Sequence, residues 1–73
     1  MNNIPYDSLQ LGRNIRTRRI AQHLTQTELA RLAGCSPQTV SKLERGLCGI
    51  SVELLFKLSA ALACRLSELA EGV

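Results

Sequence analysis

The segment from Thr25 to Gly46 constrains the fold most, because it carries start and stop signals for two short helices separated by one glycine turn. Thr25 and Glu28 have the spacing of a capping box, in which each side chain accepts a backbone N–H of the other at a helix start. Gly34 then ends the first helix, since a residue without a Cβ takes the left-handed conformation at little cost. The predicted apolar stripe of this helix comprises Leu29, Ala30, Leu32 and Ala33.

A second helix is predicted to begin within three residues of that glycine. Ser36 is a favourable N-cap, and Pro37 falls at the first helical position, where its missing N–H costs nothing. Val40 and Leu43 form the inward side of this helix. The residues of its other face recur at helical spacing and are polar: Gln38, Ser41, Lys42 and Arg45. The side chains of this polar face are not expected to pack in a hydrophobic core.

The motif resembles the helix-turn-helix of the Cro/C1-type, or Xre-like, DNA-binding domains of the phage-repressor class. The residues that match the family pattern are Gln26, Leu29, Ala30, Gly34, Ser36, Val40, Ser41, Leu43, Glu44 and Gly46. A plain helical hairpin would share the apolar spacing but not this combination of caps, glycines and polar face. The resemblance implies an all-α, five-helix, lambda-repressor-like domain over residues 8–73, with the helix-turn-helix at 25–45.

The resemblance also implies a role for each residue of the motif. The residues expected to contact bases of double-stranded DNA are Pro37, Gln38, Ser41 and Lys42. Those expected to contact phosphates are Arg16, Thr25, Gln26 and Arg45, although Thr25 could be a cap alone. In the family pattern Arg19 pairs with Glu44 in a partly buried ion pair, which we expect to be structural. Pro37 departs from many relatives, which have a polar side chain at this position.

Charge is unevenly distributed along the chain. Residues 1–46 carry seven Lys and Arg against three Asp and Glu, a net charge of +4, whereas residues 47–73 carry two against three, a net charge of −1. Four arginines of the first predicted helix contribute to this surplus: Arg13, Arg16, Arg18 and Arg19. A solvated helix face and a phosphate-facing surface both remain open interpretations of these four residues.

Other classes of protein receive little support from the sequence. No apolar run approaches the roughly 18 residues of a membrane span, and the N-terminus lacks the features of a signal peptide, so we expect a cytoplasmic protein. His23, Cys35, Cys48 and Cys64 could formally make a zinc set, but no two of them have the local spacing of a ligand pair. No catalytic motif or phosphate-binding glycine loop is present, so we expect no enzyme, metal, cofactor or small-molecule ligand.

The remaining helices follow from periodicity and caps. Residues 1–7 are predicted to be a flexible arm, and Asp7 or Ser8 to cap a first helix that runs to about Gln22, with Leu11 and Ile15 inward. Ser51 caps a fourth helix, whose apolar stripe is Leu54, Leu55, Leu58, Ala61 and Leu62. A fifth helix is predicted from about Leu66 to Glu71. Ala63 and Arg65 precede it where the family usually has glycine and a Ser or Thr cap.

One recognition helix makes few contacts, so we expect a homodimer on a two-fold symmetric operator. The expected dimer residues are Leu66, Leu69, Ala70 and Val73, which could instead complete the core of one protomer. A controller of a restriction-modification system, a phage regulator and an antitoxin-like repressor all fit this prediction. The alternative from another class is a protein-interaction module that retains the same helical fold.

Overall fold

The computed structural model describes residues 4–73 as an all-α fold. Its five helices are α1 (Ser8–Ala21), α2 (Gln26–Ala33), α3 (Pro37–Glu44), α4 (Val52–Ala61) and α5 (Leu66–Leu69), and this part of the chain forms no strand. α3 packs against α1 and α2, α2 also packs against α4, and α5 closes onto α4 and α1. The predicted five-helix, all-α fold is confirmed. None of these helices has the length and apolar character that crossing a membrane requires.

The core is built from one to three aliphatic side chains of each helix. Leu58 and Leu62 are buried, whereas Leu54, Leu55 and Ala61 pack against the core only in part. The other buried apolar residues are Leu11, Ile15, Leu29, Ala30, Ala33, Val40, Leu43 and Leu69. The prediction that Leu32 belongs to the apolar stripe of α2 is wrong, since Leu32 is 60% exposed. Leu29, Ala30 and Ala33 already fill the arc of α2 that faces the core.

The helix starts follow the local sequence. Asp7, Thr25, Ser36 and Ser51 each accept the backbone N–H three residues further on, as N-cap side chains do. Glu28 closes the predicted capping box by accepting the N–H of Thr25 at 2.9 Å. That backbone hydrogen bond, together with the one from the Thr25 side chain, lowers the pKa of the Glu28 carboxyl group below its usual range. The capping box is therefore intact, and the Glu28 carboxyl group is ionised at neutral pH.

α1 and α3 approach each other at Gly12. A Cβ built on Gly12 would lie 2.3 Å from the carbonyl oxygen of Leu43 and 2.7 Å from that of Glu44. Both atoms belong to the backbone of the last turn of α3, so no side-chain rotation could relieve the overlap. Gly12 thus permits close contact between the first helix and the helix that carries the polar face.

The C-terminal turn differs from its prediction in length. α5 ends at Leu69 rather than Glu71, and the Asn14 side chain of α1 donates to the carbonyl oxygens of Leu69 at 2.9 Å and Glu71 at 2.7 Å. These two hydrogen bonds hold the end of the chain against α1. Ala63 keeps the left-handed conformation, with φ 53°, at a cost of about 1 kcal/mol relative to glycine.

Part of the predicted N-terminal arm is held against the domain. The Tyr6 hydroxyl accepts the N–H of Ile50 at 2.9 Å, and its ring packs against the core. Asp7 caps α1. Tyr6 and Asp7, which fall within the predicted flexible arm of residues 1–7, therefore contact the domain, whereas residues 1–3 lie outside the described part of the chain. The Tyr6 ring packs against core residues that are distant in the sequence, so a local sequence pattern does not indicate this contact.

Candidate nucleic-acid interface

The polar face of α3 is turned to solvent. Gln38, Lys42 and Arg45 are exposed and Ser41 is half-buried, while Val40 and Leu43 are buried on the opposite side. Within residues 4–73, Gln38 and Lys42 make no hydrogen bond or ion pair, so their donors and acceptors are available to a ligand. Arg45 lies along its own helix, with Nε donating to the carbonyl oxygen of Ser41 at 3.3 Å.

The start of α3 is fixed by its own residues. The Ser36 hydroxyl oxygen accepts the N–H of Thr39 at 3.1 Å, and Pro37 occupies the first helical position. The ring of Pro37 is exposed and has no polar atom to offer. The N-terminal turn of α3 therefore presents an apolar surface at Pro37 and a carboxamide at Gln38.

A buried polar network anchors α3 to the other two helices of the interface. Arg19 of α1 donates to Glu44 of α3 through Nε at 2.6 Å and through a second guanidinium nitrogen at 3.1 Å. The remaining terminal nitrogen donates to the carbonyl oxygen of Leu24 at 2.8 Å. The Glu44 side chain is only 3% exposed and that of Arg19 is 13% exposed. This pair ties the last turn of α3 to α1 and to the turn that leads into α2.

Gln26 is a third member of this network. Its Nε2 donates to Oε1 of Glu44 at 3.0 Å, so that α1, α2 and α3 meet at a single carboxylate. The sequence predicted Gln26 only as a phosphate contact, and no local signal indicated its hydrogen bond to a residue 18 positions away. One amide hydrogen is thereby committed to Glu44, while the backbone N–H of Gln26 remains at the open start of α2.

The other predicted phosphate contacts lie at the surface. Thr25 is exposed, and its hydroxyl oxygen accepts the N–H of Glu28 at 3.0 Å. Arg16 is exposed and engages no other residue within the described range. Arg18 instead lies 3.5 Å from Glu68 in an ion pair that joins α1 to α5. Arg18 thus makes a structural contact, whereas Arg16 lies on a surface that is open to a ligand.

The predicted dimer residues do not form one exposed surface. The prediction of Leu69 as a dimer residue is wrong, because Leu69 is fully buried in the core of its own protomer. Leu66, Ala70 and Val73 are half-buried. The turn that ends α5 folds Leu69 inward and leaves only the edges of these neighbours accessible.

Cysteine and histidine side chains are scattered over the domain. Cys35, Cys48 and Cys64 are free and half-buried, and burial raises the pKa of the Cys35 and Cys64 thiols. Within residues 4–73, no group of three or more His, Cys, Asp or Glu side chains is placed to hold a metal ion. His23 is exposed and adopts a left-handed conformation at the turn between α1 and α2, with φ 58°.

Comparison with solved structures identifies close likenesses to this arrangement. The restriction-modification controller protein C.AhdI from Aeromonas hydrophila is 35% identical, with a TM-score of 0.84 over 86% of this chain and 96% of that one. The P22 c2 repressor, crystallised in complex with a synthetic operator, is 33% identical, with a TM-score of 0.80 over the same shares of the two chains. Both likenesses extend beyond the motif to nearly the whole domain.

Comparison with curated proteins and family models gives the same classification. The antitoxin PezA from Streptococcus pneumoniae is 40% identical over 45 residues, which span 62% of this chain and 28% of the antitoxin. The family model described as Helix-turn-helix matches residues 15–69, which is most of the chain and includes α2, α3 and α4. The chain therefore belongs to the helix-turn-helix family of the Cro/C1 type.

Proposed function

We propose that this protein is a sequence-specific transcriptional regulator that binds double-stranded DNA as a dimer, with α3 of each protomer in the major groove. One observation carries the proposal: Gln38 and Lys42 are exposed and unengaged on a helix whose far end is fixed by the buried Arg19 and Glu44 pair. A rigid helix with free polar side chains suits base recognition, because the groove presents a fixed pattern of donors and acceptors.

Base recognition is divided among four side chains of α3. The Gln38 carboxamide can form two hydrogen bonds with adenine, its oxygen accepting from the N6 amino group and its N–H donating to N7. Lys42 donates to guanine O6 or N7, and Ser41 contacts several edges with weak discrimination. Pro37 offers only apolar contact, such as that with a thymine methyl group.

Phosphate contacts position the helix without specifying sequence. The start of α2 provides unpaired backbone N–H groups and the positive end of a helix dipole, next to the side chains of Gln26 and Thr25. Arg16 on α1 and Arg45 at the end of α3 add exposed positive charge. In this arrangement the Glu44 network also holds Gln26 in place beside the phosphate.

A dimer provides two recognition helices, which raises the affinity for DNA and matches the two-fold symmetry of an operator. Half-sites of two-fold operators lie about one helical turn, roughly 34 Å, apart or a multiple of that distance. The longest dimension of the protomer is 31 Å, so the centres of two protomers placed end to end along that dimension lie a comparable distance apart. The similar P22 c2 repressor, which was crystallised with an operator, supports a DNA ligand for this chain as well.

Salt dependence of binding tests this proposal. Because each neutralised phosphate contributes about −0.9 to the slope of log K against log salt, Arg16→Ala and Arg45→Ala should each make that slope shallower by about 0.9. Both variants should bind all DNA sequences more weakly by a similar factor. Fluorescence anisotropy of labelled duplex DNA over a range of salt concentrations measures this effect.

Arg65→Ala is the matched control, since Arg65 is exposed at the start of α5, outside the motif, and should leave the slope unchanged. Failure of the wild-type protein to retain duplex DNA at low salt contradicts the proposal. That result would instead favour the second candidate, a protein-interaction module, for which the identity with the antitoxin PezA is the supporting observation.

A further inference from the structure

The outward face of α4 is apolar, and no other residue of the described part of the chain covers it. Val52 is 69% exposed and Phe56 is 55% exposed. They lie one helical turn apart, and the exposed Ala60 continues the same line one turn further on. Within residues 4–73, Phe56 is the sole phenylalanine, and leaving its ring in water costs free energy that contact with an apolar surface would recover.

An apolar groove of about 230 Å³ lies beside this line of residues. Tyr6, Ile50, Leu55, Ala70 and Val73 line it, and Val52 stands at its edge. The groove is thus built from α4, the loop before it and the C-terminal turn, and it includes two of the half-buried residues predicted for a dimer contact. Projecting side chains and a recess to receive them therefore lie on the same face of the protomer.

We propose that a second copy of this chain covers this surface, here called the α4 face and defined by Val52, Phe56, Ala60 and the adjoining groove. This inference rests on the dimer of the proposed function and identifies its interface. In a two-fold contact the same patch meets itself, so each Phe56 inserts at the groove of the other protomer. A patch that carries both projection and recess satisfies this requirement.

Charge on α4 favours the same arrangement. Glu53 and Lys57 border the apolar line and form an ion pair of 3.0 Å within the helix, with side chains 78% and 52% exposed. When two copies of α4 pack antiparallel, Val52 lies opposite Phe56 of the second copy, and Glu53 lies opposite Lys57 of the second copy. The contact then has an apolar centre with complementary charges at its rim, as protein interfaces commonly do.

Sedimentation equilibrium of the protein without DNA tests the inference. The wild type should show a monomer–dimer equilibrium, and Phe56→Asp should raise its dissociation constant by about 30-fold or more, as expected for a central aromatic residue. Leu32→Asp is the matched control, because Leu32 is 60% exposed on α2 and receives the same charge. Its dissociation constant should remain within about twofold of the wild-type value.

A charge exchange at the rim gives a second measurement. Glu53→Lys and Lys57→Glu should each weaken the dimer by a few-fold, and the double variant should restore it, because every opposed pair again has opposite signs. The inference is overturned if the wild type stays monomeric at all concentrations, or if Phe56→Asp dimerises as the wild type does.

These outcomes are distinguishable from failure of the proposed function. If Phe56→Asp remains a dimer and the protein binds DNA, the interface is wrong and the proposed function stands. If Phe56→Asp becomes a monomer but the wild type binds no DNA in the salt titration, the interface stands and the proposed function is wrong.

Discussion

Replacing Arg19 with methionine is expected to lower the free energy of unfolding by about 3–5 kcal/mol. The loss is large because Glu44, whose side chain is 3% exposed, would keep its charge in the core with only the Gln26 amide as a partner. A domain of this size has a total stability of about 4–11 kcal/mol, so the variant should be partly unfolded at moderate temperature. Urea unfolding followed by circular dichroism measures the change.

The double variant Arg19→Met with Glu44→Met separates the lost attraction from the stranded charge. Removing both charges should recover much of the stability, since a buried ion pair contributes little compared with well-packed apolar side chains. Lys57→Met is the surface control and should change stability by less than about 1 kcal/mol, because its pair with Glu53 is exposed. A loss of under about 1 kcal/mol for Arg19→Met would contradict the structural role of the pair.

The second large effect is expected for Gly12→Ala, with a net loss of about 2 kcal/mol or more. The added Cβ would overlap the carbonyl oxygens of Leu43 and Glu44, so α1 must move away from the last turn of α3. Alanine gains about 1 kcal/mol of helix propensity over glycine, and this gain only partly offsets the overlap. Thermal unfolding of the variant measures the net change.

Gly49→Ala provides the matched control. A Cβ at Gly49 would meet the Tyr6 hydroxyl oxygen at 3.7 Å, an ordinary contact, so stability should stay within about 0.5 kcal/mol of the wild type. Equal or greater stability of Gly12→Ala would show that α1 and α3 are not in the close contact described. Because α3 carries the polar face, a destabilised Gly12→Ala should also bind DNA more weakly than Gly49→Ala does.

Features determined by neighbouring residues could be predicted from the sequence. Thr25 with Glu28, Gly34, and Ser36 with Pro37 set the ends of α2 and α3 through contacts within a few positions, and the structure retains each of them. The outward polar face of α3 followed from the same periodicity. Such signals depend little on how the helices pack.

Features determined by packing between helices could not be predicted in this way. Which arc of α2 faces the core depends on where α3 and α4 lie, so an apolar Leu32 gave no sign of its exposure. The burial of Leu69, the Tyr6 contact with Ile50 and the hydrogen bond from Gln26 to Glu44 each join distant parts of the chain. The α4 face, likewise, was hidden because Phe56 could equally have filled a core.

Selection of binding sites from random double-stranded DNA, with the wild type and Gln38→Ala in parallel, tests recognition by α3 most directly. The wild type should enrich a two-fold symmetric site, and Gln38→Ala should lose about 1–3 kcal/mol of preference at one base pair of each half-site. Arg16→Ala should keep the wild-type preference. No enrichment by the wild type, or an unchanged preference in Gln38→Ala, would contradict the account.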